Sequence, residues 1–181
     1  MAEKKRYLYV IGCGRSGTTL LSELLSKNDE VAISPETKYF QHVWSQRHGL
    51  NLLPPARRYE AIKNCLIESE YSTGPRVFHE HADDFLEILR RENGDLAAAF
   101  DGILSTLSDA PVIGEKTPWH TFFVPELLAD YGVDKKVIAV CRDAPAVVAS
   151  LLKREGFRRT ENVIQCTARW ILFNEKVLHL E

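Results

Sequence analysis

The chain has 181 residues, 45% of them hydrophobic, with 23 basic against 25 acidic side chains and a formal charge of −2. That length suits one domain with a full core, and the near-neutral balance argues against a general nucleic-acid binder, which carries a strong basic excess. No run approaches the ~20 apolar residues of a membrane span, and the polar opening MAEKKR does not read as a signal peptide. The four cysteines are scattered and lack CxxC spacing, which points to reduced thiols in a cytoplasmic protein.

Tyr7 to Ile11 is a short apolar run with aromatic and β-branched residues, as a buried strand requires. Gly12, Gly14 and Gly17 follow, and then Thr18, Thr19, Leu20, Leu21, Leu24 and Leu25 fall at helical spacing. Strand, glycine-rich turn and helix together make a phosphate cradle: glycines let the backbone approach an anion, and the helix-start N–H groups point at it. Gly12 and Gly17 have the spacing of a Walker A loop, but Thr18 stands where that loop carries lysine, and the positive charge sits inside the loop at Arg15. A kinase without the loop lysine is badly equipped to hold β- and γ-phosphates.

Residues 27–30 read as a turn and Val31 to Ile33 as a second strand, after which Ser34 to Phe40 leads into a helix. Pro54-Pro55 breaks the chain. Helices are then expected over Ala56–Tyr71, Asp83–Arg91 and Leu96–Leu107, with a loop at residues 72–75, so that about 45 to 108 forms a helical block. Pro111 to Gly114 is a short strand leading into a loop at Glu115-Lys116-Thr117-Pro118, and a helix is expected from Phe122 to Tyr131. Lys136 to Cys141 reads as a continuous buried strand, with Arg142 and Asp143 at its carboxyl end. Pro145 suits the first turn of the next helix, and an amphipathic helix follows over about 161–180. Alternating strands and helices imply a parallel sheet that binds its ligand at the carboxyl ends of the strands. Gly12–Thr19 and Arg142 both fall on that rim.

Ser150 follows Arg142 by eight residues, away from the apolar face made by Val147, Val148, Leu151 and Leu152. A guanidinium fork and a hydroxyl suit a phosphate monoester. The bland alternative is an arginine at a strand end and a serine facing solvent.

Two of these stretches resemble the PAPS-dependent sulfotransferases, PAPS being 3′-phosphoadenosine 5′-phosphosulfate. The loop GCGRSGTTLL resembles their 5′-phosphosulfate loop, and VIAVCRDAPAVVASLLK resembles their 3′-phosphate element, with Arg and Ser at the same interval. Pro35-Glu36-Thr37 stands 21 residues after Arg15, where the tyrosylprotein sulfotransferases and their bacterial relatives carry a Glu-Thr pair with the catalytic base. Glu115-Lys116-Thr117-Pro118 resembles the Lys-Thr-Pro element of bacterial members.

The resemblance covers about residues 7–40 and 112–175. It implies an α/β, P-loop-like three-layer fold: a central parallel sheet flanked by helices, with the helical block inserted. It implies that Gly14, Arg15, Ser16, Gly17, Thr18 and Thr19 hold the 5′-phosphosulfate and that Arg142 and Ser150 hold the 3′-phosphate. Glu36 is then the base for an acceptor hydroxyl, and Arg15 and Lys116 offset charge on the bridging oxygen, with no metal required. The co-substrate is PAPS, the product adenosine 3′,5′-bisphosphate, and the acceptor a carbohydrate, phenol or other hydroxyl compound. Family members continue beyond the last helix, so the resemblance also implies that the C-terminal part of the usual domain is missing.

His42 is a rival base, because the cytosolic small-molecule sulfotransferases use a histidine. A kinase with a degenerate loop and a non-catalytic PAPS-binding module remain as alternative readings. His79-Glu80-His81 resembles a metal pair but lacks further ligands. Trp119-His120 lines an acceptor pocket or closes the core, Arg158-Arg159 touches the nucleotide or is solvated, and Arg169 and Trp170 lie on the last helix, where packing is the default role of Trp170.

Overall fold

The first strand, β1 (Arg6–Gly12), is the axis of the sheet: Tyr9, Val10 and Ile11 are fully buried, so both of its faces are covered. The structure, a computed structural model, describes residues 5–70, 82–92, 94–129, 134–153 and 162–180. Around β1 lie β2 (Val31–Ser34), β3 (Val112–Lys116) and β4 (Asp134–Val140), in the order β2-β3-β1-β4 and all parallel. Tyr9 faces Glu115 across the ladder, Val10 faces Lys116 and Gly12 faces Val140. The carboxyl ends of β1, β3 and β4 therefore share one edge.

Helix α1 (Thr18–Leu25) follows the glycine turn, and α2 (Tyr39–His42) follows β2. A 3₁₀ turn at Trp44–Gln46 leads into α3 (Arg47–Asn51), α4 (Pro55–Glu70), α5 (Ala82–Arg91) and α6 (Leu96–Thr106). After β3 come a 3₁₀ helix (Pro118–Phe123) and α7 (Val124–Leu127), and after β4 come α8 (Ala144–Leu152) and α9 (Val163–Leu178).

Two apolar clusters make the layers. Tyr7, Tyr9 and Ile11 pack with Tyr39, Phe40, Phe85, Leu89, Phe100 and Ile103 on one side of the sheet. Cys13 packs with Val147, Val148, Leu151, Cys166 and Phe173 in a second cluster built from α8 and α9. On the first side the buried Asp101 carboxylate of α6 receives the Tyr9 hydroxyl and pairs with Lys135 of β4. Burial pushes the Asp101 carboxyl up, against the pull of Lys135 and Tyr9.

Four expectations change. Glu115 and Lys116 belong to β3 rather than to a loop, because their N–H and C=O groups pair with β1. The helix expected over 122–131 is instead the 3₁₀ helix and α7, each begun by a proline in its first turn; residues 130–133 lie outside the described ones. Strand β4 ends at Val140, so Cys141 is exposed rather than a core residue. Among the described strands β4 is an edge strand and only partly buried. No helix is long and apolar enough to cross a membrane among the described residues.

Candidate functional site

The turn between β1 and α1 is shaped for an anion. Gly12 turns the chain at φ 134, and a Cβ there would stand 2.3 Å from the Val140 carbonyl oxygen, so only glycine fits. Its N–H donates to Thr121 Oγ1 at 3.0 Å, which ties the turn to the 3₁₀ helix after β3. Ser16 N–H donates back to the Cys13 carbonyl at 3.1 Å. Arg15 (φ 73) and Gly17 (φ 103) both take the left-handed conformation, the alternation that gathers backbone N–H groups into a concave nest. For a non-glycine residue such as Arg15 this conformation costs about 1 kcal/mol or more, strain that collects at functional turns.

Gly17 caps α1 in the same left-handed conformation, and no described side chain caps the helix. Its first amides thus remain available to an anion, favoured also by the helix dipole. Thr18 is buried, Thr19 is exposed, and Gly14 is half-buried. Ser16 Oγ is buried with no hydrogen-bond partner among the described residues, an arrangement that costs about 1–3 kcal/mol unless a ligand supplies the partner.

Arg15 leads from this turn to the second motif. Its Nε donates to Ser150 Oγ on α8 at 2.9 Å, and Arg142 donates from a guanidinium nitrogen to the Arg15 carbonyl at 3.3 Å. The Arg142 carbonyl accepts the indole N–H of Trp170 at 2.8 Å, so α9 fixes the backbone two residues beyond the end of β4. Asp143 caps α8 by accepting Ala146 N–H at 2.9 Å, and Pro145 fills the first turn. The Arg142 side chain is 47% exposed. Two cationic forks and a hydroxyl therefore share one patch of the sheet edge.

The third group lies across β3. Lys116 Nζ contacts Glu36 Oε1 at 2.8 Å; the lysine side chain is 8% exposed and the glutamate 33%. Adjacent in sequence, and pointing to the other face of the strand, Glu115 is fully buried. Its Oε1 accepts the Thr37 N–H at 2.7 Å, the Thr37 hydroxyl at 2.9 Å and the Thr117 hydroxyl. His120 Nδ1 stands 3.0 Å from its Oε2. Burial pushes the Glu115 carboxyl up, but His120, Thr117 and Thr37 outweigh it and hold the group below the usual carboxylate range.

Residues 8–178 match the sulfotransferase family. The chain belongs to the sulfotransferase family. No curated protein matches it. The four-stranded parallel sheet with helices on both sides agrees with the fold expected of a sulfotransferase.

In this sulfotransferase the positions singled out in the sequence form two groups. Arg15, Arg142 and Ser150 meet beside the glycine turn, and Glu36 meets Lys116. His42 lies at the end of α2, half-buried, where burial and Lys38 lower its pKa; the contact with Lys116 is made by Glu36. His79-Glu80-His81 and Arg158-Arg159 lie outside the described residues, and no described group of three or more His, Cys, Asp or Glu side chains is placed to hold a metal. Of Trp119-His120, the histidine is fully buried and the tryptophan 44% exposed.

Glu115, Thr37 and Thr117 were not legible as a unit, since Thr37 reaches Glu115 across 78 positions of sequence. One signal was present: a charged Glu-Lys pair ending an otherwise apolar strand, where a charge must have a partner. Trp170 carries a hydrogen bond in addition to its packing, which helix periodicity does not reveal.

Proposed function

We propose that this sulfotransferase takes PAPS as donor and transfers its sulfuryl group to a hydroxyl acceptor, with Glu36 as the base. The residues present fit that donor. Uncapped α1 amides and the partnerless Ser16 hydroxyl suit the 5′-phosphosulfate, and the exposed Arg142 with Ser150 suits the 3′-phosphate. The single observation that carries the reading is the Glu36–Lys116 pair at 2.8 Å, a carboxylate and an ammonium held together beside an anion cradle.

The donor supplies an electrophilic sulfur and a phosphate leaving group. Everything else is positioning and electrostatics by the chain. Gly14, Arg15, Ser16, Gly17, Thr18 and Thr19 hold the phosphosulfate, and Arg142 and Ser150 select a nucleotide with a 3′-phosphate. Glu36 takes the proton from the acceptor hydroxyl as its oxygen bonds to sulfur and the sulfur–oxygen bond to the 5′-phosphate breaks. Lys116 and Arg15 offset the charge left on the departing oxygen. The Arg15–Ser150 and Glu36–Lys116 contacts are the resting arrangement: an arriving anion competes for both cations and leaves the Glu36 carboxylate free for the acceptor.

The helical block between β2 and β3 forms the acceptor side, and a glutamate base suits a sugar or phenolic hydroxyl. The test is transfer of radiolabelled sulfate from PAPS across a panel of carbohydrate and phenol acceptors. Glu36→Gln is expected to lower kcat by about 10²–10⁴-fold and to leave adenosine 3′,5′-bisphosphate affinity within about threefold, a change of under 1 kcal/mol. A Glu36→Gln variant with wild-type turnover removes Glu36 from the chemistry; a wild type that binds bisphosphate but transfers to no acceptor favours a non-catalytic binding module.

A further inference from the structure

We propose that Glu115, acting with Thr37, Thr117 and His120, is a positioning residue that sets the Glu36 carboxylate against Lys116; the inference rests on the catalytic role proposed for Glu36. Four consecutive backbone N–H groups, those of residues 37–40, are held by side chains of one cluster. Residues 37–40 form the entry to α2, whose early amides have no helical acceptor of their own. Thr37 N–H goes to Glu115 Oε1 at 2.7 Å, and Lys38 N–H to Thr117 Oγ1 at 3.3 Å. Tyr39 N–H goes to Thr37 Oγ1 at 3.2 Å, and Phe40 N–H to His120 Nε2 at 3.3 Å. Each acceptor is a side chain of the same cluster. Thr37, Glu115, Thr117 and His120 are all under 5% exposed, so water does not compete for these bonds.

The placement matters because of what is adjacent. Glu36 precedes Thr37, and Lys116 lies between Glu115 and Thr117 in the chain. The network thus grips the neighbours of both members of the ion pair and leaves the pair itself, a buried lysine with a one-third exposed glutamate, on the face of β3 away from Glu115. Lys38 adopts a left-handed φ of 55 inside this segment, a conformation that its flanking bonds must hold. Phe40 N–H donating to Nε2 leaves Nδ1 of His120 as the nitrogen that carries the proton and faces Glu115. One buried anion therefore fixes the start of α2, the end of β3 and the histidine after it.

The experiment compares Thr37→Val, Thr37→Ser and Glu115→Gln with wild type, on an acceptor that the wild type sulfates. Expected is a kcat loss of about 10–100-fold in Thr37→Val, the scale of a misplaced catalytic group, with bisphosphate affinity within about twofold because the glycine turn is untouched. Thr37→Ser restores most of the turnover, since it keeps the hydroxyl. In Glu115→Gln, amides 37–40 exchange hydrogen faster while those of α1 do not change. Wild-type kcat in Thr37→Val, or a parallel loss of turnover and bisphosphate affinity, overturns the inference. A wild type that sulfates no acceptor overturns the proposed function, and the inference with it.

Discussion

Glu115 shows how a single buried charge reports on the state of the fold. Its carboxyl is held below the usual range by His120, Thr117 and Thr37, against the upward push of burial. A carboxylate whose folded pKa lies below its unfolded value stabilises the fold above the unfolded pKa, and that contribution drains away as pH falls through the folded one. The thermal midpoint is therefore expected to drop with acidification below about pH 4.3, the ordinary glutamate value, and the drop should be shallower in Glu115→Gln. Melting curves between neutral and acid pH check this. Equal acid slopes in the two proteins would remove Glu115 from the acid response. Burial likewise pushes the Cys13 thiol up to about 11, against the pull of Arg169, so the cysteine inside the glycine turn is a packed thiol rather than a nucleophile.

At the scale of elements, the strand–turn–helix of β1 and α1 was readable because each part has a local cause. A continuous apolar run makes the strand, and clustered glycines permit the turn. Leucine spacing makes the helix. Arg142 at a strand end and Ser150 away from an apolar face were readable for the same reason. What hid from the sequence was the last turn of β3, because Glu115 and Lys116 look like loop residues until their partners at Thr37 and Glu36 are known. The 3₁₀ helix at Pro118–Phe123 was hidden too: Pro118 read as the end of a loop and Phe122 as the start of an α-helix, while Thr121 is held by the Pro118 carbonyl and by the Gly12 N–H. Helix α9 makes a testable contribution, since Trp170 anchors the Arg142 carbonyl. Trp170→Phe keeps the aromatic volume and removes one hydrogen bond worth about 1 kcal/mol. Bisphosphate affinity is expected to fall roughly fivefold, read by calorimetry. Unchanged affinity would mean that Trp170 only packs.

For the whole molecule, the parallel sheet gathers three separate segments of chain onto one edge. The turn after β1, the end of β3 and the segment after β4 each bring a cation there: Arg15, Lys116 and Arg142. The molecule as a whole is near neutral, so this local positive charge is a property of topology rather than of composition. Under the proposed function, this edge recognises a nucleotide phosphorylated at both the 3′ and 5′ positions. Calorimetric titration with adenosine 3′,5′-bisphosphate, beside AMP and ATP with magnesium, tests it most directly. Binding of the bisphosphate is expected to be at least tenfold tighter than that of AMP, equivalent to about 1.4 kcal/mol, with that advantage lost in Arg142→Ala. Preference for ATP with magnesium, or a bisphosphate affinity indifferent to Arg142→Ala, would contradict it.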